Sequence, residues 1–262
     1  MIAFMKQHLY TMFVTVLLCT AFTCITVFVL LLSWRAFRYF DAILSKTDST
    51  NIEQLIVDQY TLDTNQGSVI HDVYSDKTGS IHGASWTDGS KGTSLFFDGN
   101  DQYISFTDSQ FPEYRKSKGI TLETWVFVPK DNPEYPQHTD QLLIEDANKN
   151  YLYYLVDKGR FKFRCMTDAK DDIAIETSRI DTQGRWVHVA ATYDGFRMRI
   201  YVDGKLEASH YHEGSLSSLR GILFLAGNPD HYAKFFRGKL DNVTLYTEAL
   251  SQNVILNHAN QK

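Results

Sequence analysis

The chain has 262 residues, enough for one large domain plus an accessory segment, and its 14% aromatic content with only 5 prolines excludes a disordered polymer. Its formal charge is −5, unevenly spread: residues 1–46 hold four basic residues and one acid, a net of +3, which leaves −8 for the remainder. An acidic domain without a basic stripe has no footprint for nucleic acid, and that partner class is excluded.

In chain order, a short tail of residues 1–8 precedes Leu9 to Trp34, 26 residues without a formal charge and rich in Val, Leu, Phe and Thr. As a helix this run covers roughly 39 Å, against a hydrocarbon core of ~30 Å, so it is long enough to span a bilayer with some tilt. Tyr10 and Trp34 stand near its ends, where amphipathic rings favour the interface. A cleaved signal peptide has a shorter apolar region and a small-residue cleavage pattern, and Ser33 to Arg38 (SWRAFR) offers none. Leu18 before Cys19 likewise argues against a lipoprotein. The segment reads as an uncleaved single-pass anchor. Residues 35–54 read as a juxtamembrane connector, helical at first and broken in the polar stretch Ser45–Asn51.

The rest, residues 55–262, has the period of two that marks strands. Gly67 to Gly92 is read as a loop-rich stretch with five glycines. Ser94–Phe97, a turn at Asp98–Asp101 and a return strand Gln102–Phe106 follow, then Ile120–Val128 (ITLETWVFV), with Ile120, Leu122, Thr124, Val126 and Val128 on one face. Strands are expected at Gln141–Glu145, Tyr151–Val156, Arg160–Cys165 and Asp172–Thr177. Trp186–Tyr193 and Phe196–Val202 form the clearest hairpin: Val187, Val189, Ala191 and Tyr193 face one way, Trp186, His188, Ala190 and Thr192 the other. Asp194-Gly195 and Asp203-Gly204 both suit two-residue turns with positive φ. Ile222–Ala226 and Lys239–Tyr246 complete about ten strands, and Thr247–Asn257 is the one soluble helix, with Leu250, Val254 and Ile255 on its apolar side. This is an all-β, two-sheet antiparallel sandwich. Cys19 and Cys24 fall in the apolar segment, so Cys165 is alone in the domain, no internal disulfide forms there, and a half-buried strand thiol is expected.

Six stretches in order resemble a known family. They are Phe97–Tyr103 (FDGNDQY), Ile120–Val126 (ITLETWV), Trp186–Ala190 (WVHVA) with Tyr193-Asp194-Gly195, Tyr201–Lys205 (YVDGK), Phe236–Tyr246 (FRGKLDNVTLY) and Ala249-Leu250-Ser251. Together they resemble the LamG-like jelly roll of the concanavalin A-like superfamily over about residues 55–258. The resemblance implies two sheets face to face and a mostly non-catalytic module for a glycan or protein ligand, with many members holding calcium. It also implies a domain outside the cytoplasm, at a cell envelope or surface. The count of basic residues flanking the anchor points mildly the other way; the outside placement is adopted.

On this resemblance Asp76 and Asp241 are the candidate ligands of a structural calcium, which wants six to eight oxygens. Ordinary turn acids are the competing reading of both. Asp98, Asn100 and Asp101 read as a plain turn, and His188 as a bonded structural histidine. His210 and His212 share a strand face, but two ligands do not make a zinc site. For a glycan, Trp125, Tyr151, Tyr153, Tyr154, Phe161 and Tyr201 are the available platforms; adjacent Tyr153 and Tyr154 point to opposite faces, so one of them is expected at the surface. A glycoside hydrolase would need paired carboxyls across the sugar bond. No Glu-x-Asp pair occurs on a strand, and Glu145-Asp146 point apart, so no catalytic residue is expected. Asn242-Val243-Thr244 has the form of a glycosylation triplet but sits within a predicted strand. Docking of a partner protein is the alternative function.

Overall fold

Alternating apolar residues decide the architecture, because each strand must bury one face against a second layer. The computed structural model describes residues 56–106, 119–130, 140–146, 149–217, 222–230 and 234–261, all within a unit spanning Asn51–Lys262. The expected membrane segment and connector lie outside the described residues. Among the described residues no helix is long and apolar enough to cross a membrane.

Two eight-stranded sheets pack face to face. Numbered in chain order, the first contains β1 (Ile56–Tyr60), β4 (Ser85–Asp88), β5 (Thr93–Asp98), β7 (Ile120–Phe127), β12 (Trp186–Tyr193), β13 (Arg197–Val202), β14 (Lys205–Tyr211) and β16 (Arg237–Tyr246). The second contains β2 (Val69–His71), β3 (Thr78–His82), β6 (Tyr103–Ser105), β8 (Asp140–Glu145), β9 (Tyr151–Leu155), β10 (Arg160–Met166), β11 (Asp172–Glu176) and β15 (Phe224–Leu225). The first sheet runs β14-β13-β12-β7-β16-β5-β4, with β1 also on β16; the second runs β11-β10-β9-β8-β15-β6-β3-β2. Pairing is antiparallel throughout both sheets, as in a jelly-roll sandwich.

The predicted faces of the central strands are the observed ones. Leu122 and Val126 of β7, Val187, Val189 and Tyr193 of β12, and Met198 and Ile200 of β13 enter the core against Leu152, Phe161 and Phe163 of the second sheet. β10 alternates buried and half-buried residues along its whole length. Cys165 is one of its buried residues, and burial pushes its thiol well above the ordinary range, so it is an inert core group.

Four local expectations need correction. The stretch Gly67–Gly92 holds three strands, β2, β3 and β4, too short and glycine-punctuated to show a period. Asp98–Asp101 does not close a hairpin: β5 lies in the first sheet and β6 in the second, so the chain crosses the sandwich there. Asp194-Gly195 is not a two-residue turn either. Tyr193 pairs with Met198, and the Asp194 carboxylate accepts the N–H groups of Phe196 and Arg197 to shape a longer loop that leaves Phe196 exposed. Tyr153 and Tyr154 do point to opposite faces, yet both are buried, because the outer face of the second sheet carries its own apolar cluster.

The Asp203-Gly204 turn is as expected, with φ of 47° and 75° joining Val202 to Lys205. The closing helix α1 (Gln252–Ala259) begins later than predicted. It lies on the outer face of the first sheet, where Leu250, Val254 and Ile255 pack on Ala190, Tyr201 and Tyr246. Gly204 sits directly beneath it: an added Cβ would approach Leu256 Cδ1 to 2.6 Å and Leu256 Cα to 2.7 Å. Gly204→Ala therefore meets both a left-handed backbone and the helix, and we expect it to destabilise the domain by about 2 kcal/mol in urea denaturation.

Candidate functional site

Because α1 covers only part of the outer face of the first sheet, a groove of about 310 Å³ opens beside it. Its floor comes from outward positions of three neighbouring strands: Glu123 and Trp125 on β7, His188 on β12, and Thr244 and Tyr246 on β16. Its rim is polar and more exposed, with Gln59, Tyr74, Lys91, Asn242 and, from the helix side, His258 and Gln261.

The electrostatic centre is Glu123, only 4% exposed. His258 in the last turn of α1 places Nδ1 2.9 Å from Glu123 Oε1 and 3.2 Å from Oε2. Tyr246 donates its hydroxyl to Oε1 at 2.8 Å, and His188 Nε2 stands 3.7 Å from Oε2. Burial works to raise the Glu123 pKa, but the His258 bond, the two imidazoles and the tyrosine hydroxyl more than offset it, so the group is held below the usual carboxylate range. For His258, burial works downward and the Glu123 bond and charge prevail, raising it. His188 goes the other way: desolvation lowers it despite Glu123. Its Nδ1 is buried without a hydrogen-bond partner, and its ring meets the Trp125 indole edge-on at 5.2 Å. The floor thus pairs a carboxylate with one imidazole whose charged form is favoured, beside a second whose neutral form is favoured.

Asp241, on the neighbouring strand β16, does a different job. A bulge between Asp241 and Thr244, with Asn242 at φ 49°, turns its carboxylate toward the β4–β5 turn. Oδ2 accepts Ser90 N and Ser90 Oγ, each at 2.8 Å, with Lys91 N at 3.4 Å, while Oδ1 accepts Asn242 Nδ2 at 3.0 Å. Burial pushes this carboxyl up to about 6 against the pull of those donors.

Residues 98–256 match a laminin G family model described as the concanavalin A-like lectin/glucanases superfamily. The chain belongs to that superfamily. Among curated proteins, pappalysin-1 of Mus musculus is 33% identical over 103 residues, 37% of this chain and 6% of the relative. Among solved structures, the binding domain of Paraclostridial Mosquitocidal Protein 1 superposes with a TM-score of 0.63 at 17% identity, over 79% of this chain and 52% of that one. Domain 4 of AbnA, a GH43 extracellular arabinanase from Geobacillus stearothermophilus crystallised with arabinotriose, gives 0.59 at 17% identity over 79% and 98%. The sialidase of Trypanosoma rangeli gives 0.55 at 19% identity over 78% and 32%. The chain spans a small fraction of pappalysin-1 and about half of the toxin binding domain, and at these identities the solved structures speak for the fold.

The superfamily's calcium is tested by the donors around the two candidate ligands. Asp241 faces N–H and O–H donors on both oxygens, the opposite of what a cation requires, and Asp76 is exposed on the β2–β3 connection. Among the described residues no group of three or more His, Cys, Asp or Glu is arranged to hold a metal. Asp76 and Asp241 do not fit a calcium site as they stand. The buried acid of the Asp76 loop is Asp72, which accepts Gln59 N and the Ser75 hydroxyl. Asp98 accepts Asn100 N in a plain turn, and His212 approaches Asp171 at 3.6 Å while His210 is exposed.

Of the candidate platforms, Tyr154 and Phe161 are core and Tyr201 lies under α1. Tyr151 and Tyr153 stack 5.5 Å apart outside the second sheet, beneath Arg164 and Lys234. Only Trp125 borders the groove. His258 escaped sequence reading altogether. The signal available was Glu123 itself, a carboxylate on the non-core face of an otherwise apolar strand, which needs a partner from whatever covers it.

Two outcomes follow. Tyr246→Phe removes a hydrogen bond to a buried carboxylate and is expected to cost about 1.5–3 kcal/mol in denaturant unfolding. Millimolar calcium and EDTA are expected to leave the melting temperature of the full chain equal; a shift on chelation would restore a metal to the domain.

Proposed function

We propose that this is a non-catalytic binding module whose groove on the first sheet takes a glycan, held outside the cytoplasm by a single-pass anchor at Leu9–Trp34. The observation that carries the reading is the groove's lining. Amide side chains of Gln59, Asn242 and Gln261 ring a floor in which the Trp125 indole lies buried, and such a polar rim suits hydroxyl recognition. The likeness to a domain crystallised with arabinotriose and to a toxin binding domain supports it.

A hydrolase is disfavoured by the same lining. Among the described residues Glu123 is the one carboxylate lining the groove, its pKa is held low, and it is engaged by His258 and Tyr246. Glycosidases use two carboxyls about 5–10 Å apart, the acid of the pair with a raised pKa. A partner protein is the second reading, favoured by exposed Phe196, Leu206 and Tyr211 along β14 and the loop before β13.

A glycan array tests the first reading. Tyr74→Ala with Gln261→Ala, both exposed rim positions, is expected to cut retention at least tenfold without moving the melting temperature. Wild-type binding that survives the double substitution would place the ligand elsewhere, and an empty array beside a co-purifying protein would favour docking. Protease added to intact cells is expected to degrade the domain; cleavage only after lysis would remove it from the outside.

A further inference from the structure

We propose that the His258–Glu123 pair is a pH-responsive latch that holds the last turn of α1 in place as one wall of the groove. The proposal deepens the binding reading by adding its regulation, and it rests on the groove being the site. Its basis is where the helix is anchored. The buried apolar contacts of α1 and its lead-in come from Leu250, Val254 and Ile255. Beyond Ile255, Leu256 lies over Gly204 and the His258 side chain reaches Glu123, its ring also stacking on Tyr246 at 6.2 Å. His258 and, three residues on, Gln261 both line the groove, so the wall is formed by the turn that follows the buried Val254 and Ile255.

The groups facing the pair come from every surrounding element. Tyr246 of β16 donates to Glu123, and burial raises its hydroxyl far beyond neutrality. His188 of β12 is held neutral by desolvation, with the Asp203 carboxylate bonded to its backbone N–H. Tyr74 and Lys91 stand at the rim. Of the two imidazoles facing Glu123, His258 is therefore the one whose charged form these surroundings favour.

Its folded pKa lies above the ordinary 6.5, so its contribution is fully present below 6.5 and is lost as pH rises through the higher folded value. Glu123 lies below its ordinary 4.5, so its side of the pair is present above 4.5 and is lost only as pH falls through the lower folded value. Between 4.5 and 6.5 both charges are in place. From 6.5 upward the stabilisation declines, and above the folded pKa of His258 the buried carboxylate keeps only neutral donors and the helix terminus loses a cation that suits its dipole.

Hydrogen exchange on the full-length chain tests this without any ligand, so the latch and the binding reading can fail separately. After division by intrinsic rates at each pH, protection of residues 252–259 should hold level from about pH 5 to 6.5. It should then fall by at most about tenfold per pH unit, the limit for one linked proton, while β12 stays unchanged. In His258→Gln the profile should be flat at the wild-type alkaline level, and Glu123→Gln should flatten it as well. A level wild-type profile, or a slope that persists in His258→Gln, would overturn the latch.

Discussion

A carboxylate buried on the outer side of a sheet is the constraint on which this domain turns. Removing an ion like Glu123 from water costs several kcal/mol unless charge and hydrogen bonds replace the solvent. Here the replacements come from three directions: His258 on α1, Tyr246 on β16, and His188 on β12 at longer range. The helix is eight residues long, too short to persist alone in water. Strand and helix therefore need each other. The helix lacks stability without Ala190, Tyr201 and Tyr246 to pack against, and the strand's charge lacks a counter-ion without the helix.

Asp241 shows how differently the same kind of group behaves one strand away. Both carboxylates are almost fully enclosed, yet Glu123 is held low and Asp241 is pushed up to about 6. Glu123 faces an imidazole whose charged form is favoured, whereas Asp241 is met by dipoles from Ser90, Lys91 and Asn242 and by the like charge of Asp63. Dipoles orient a carboxylate well but compensate less of its lost hydration than a full charge. Asp241 consequently works as a clasp. It draws the β4–β5 turn onto β16, so closely that a Cβ at Gly89 would lie 2.7 Å from its Oδ2. The turn so positioned brings Lys91 to the groove's rim.

The sandwich was legible because strict alternation in β7, β12 and β13 is a sufficient statement of which face is buried, and Val189 beside His188 is enough to orient both. Short strands such as Val69–His71 carry too few residues for any period to emerge, so β2 to β4 were hidden in a glycine-rich stretch. Sheet membership was hidden too, since nothing in Phe97–Tyr103 distinguishes a hairpin from a crossing between layers. Covalent neighbours are readable; partners 135 positions apart, such as Glu123 and His258, are not. Tyr153 illustrates the same limit. Alternation places it outside the core correctly, but only the three-dimensional neighbours Leu142, Tyr151 and Phe224 bury it.

The two outer faces solve one problem in two ways, and the difference explains where the groove lies. On the second sheet, Tyr151 and Tyr153 are roofed from within their own surroundings by Arg164, Lys162 and Lys234, whose long side chains fold over the rings and leave each no more than 5% exposed. On the first sheet the roof, among the described residues, is a single helix. Eight residues rise only about 12 Å, while the seven strands from β14 to β4 set side by side span roughly 29 Å. Such a roof cannot reach across, and the strand positions just past its end must be polar enough to meet solvent yet held firmly enough to stay ordered. Gln59 and Asn242 occupy them, with Thr244, Glu123 and His188 buried in the floor. An aromatic and amide-lined recess beside an ion-paired floor is thus what a short C-terminal helix leaves uncovered on a wide sheet.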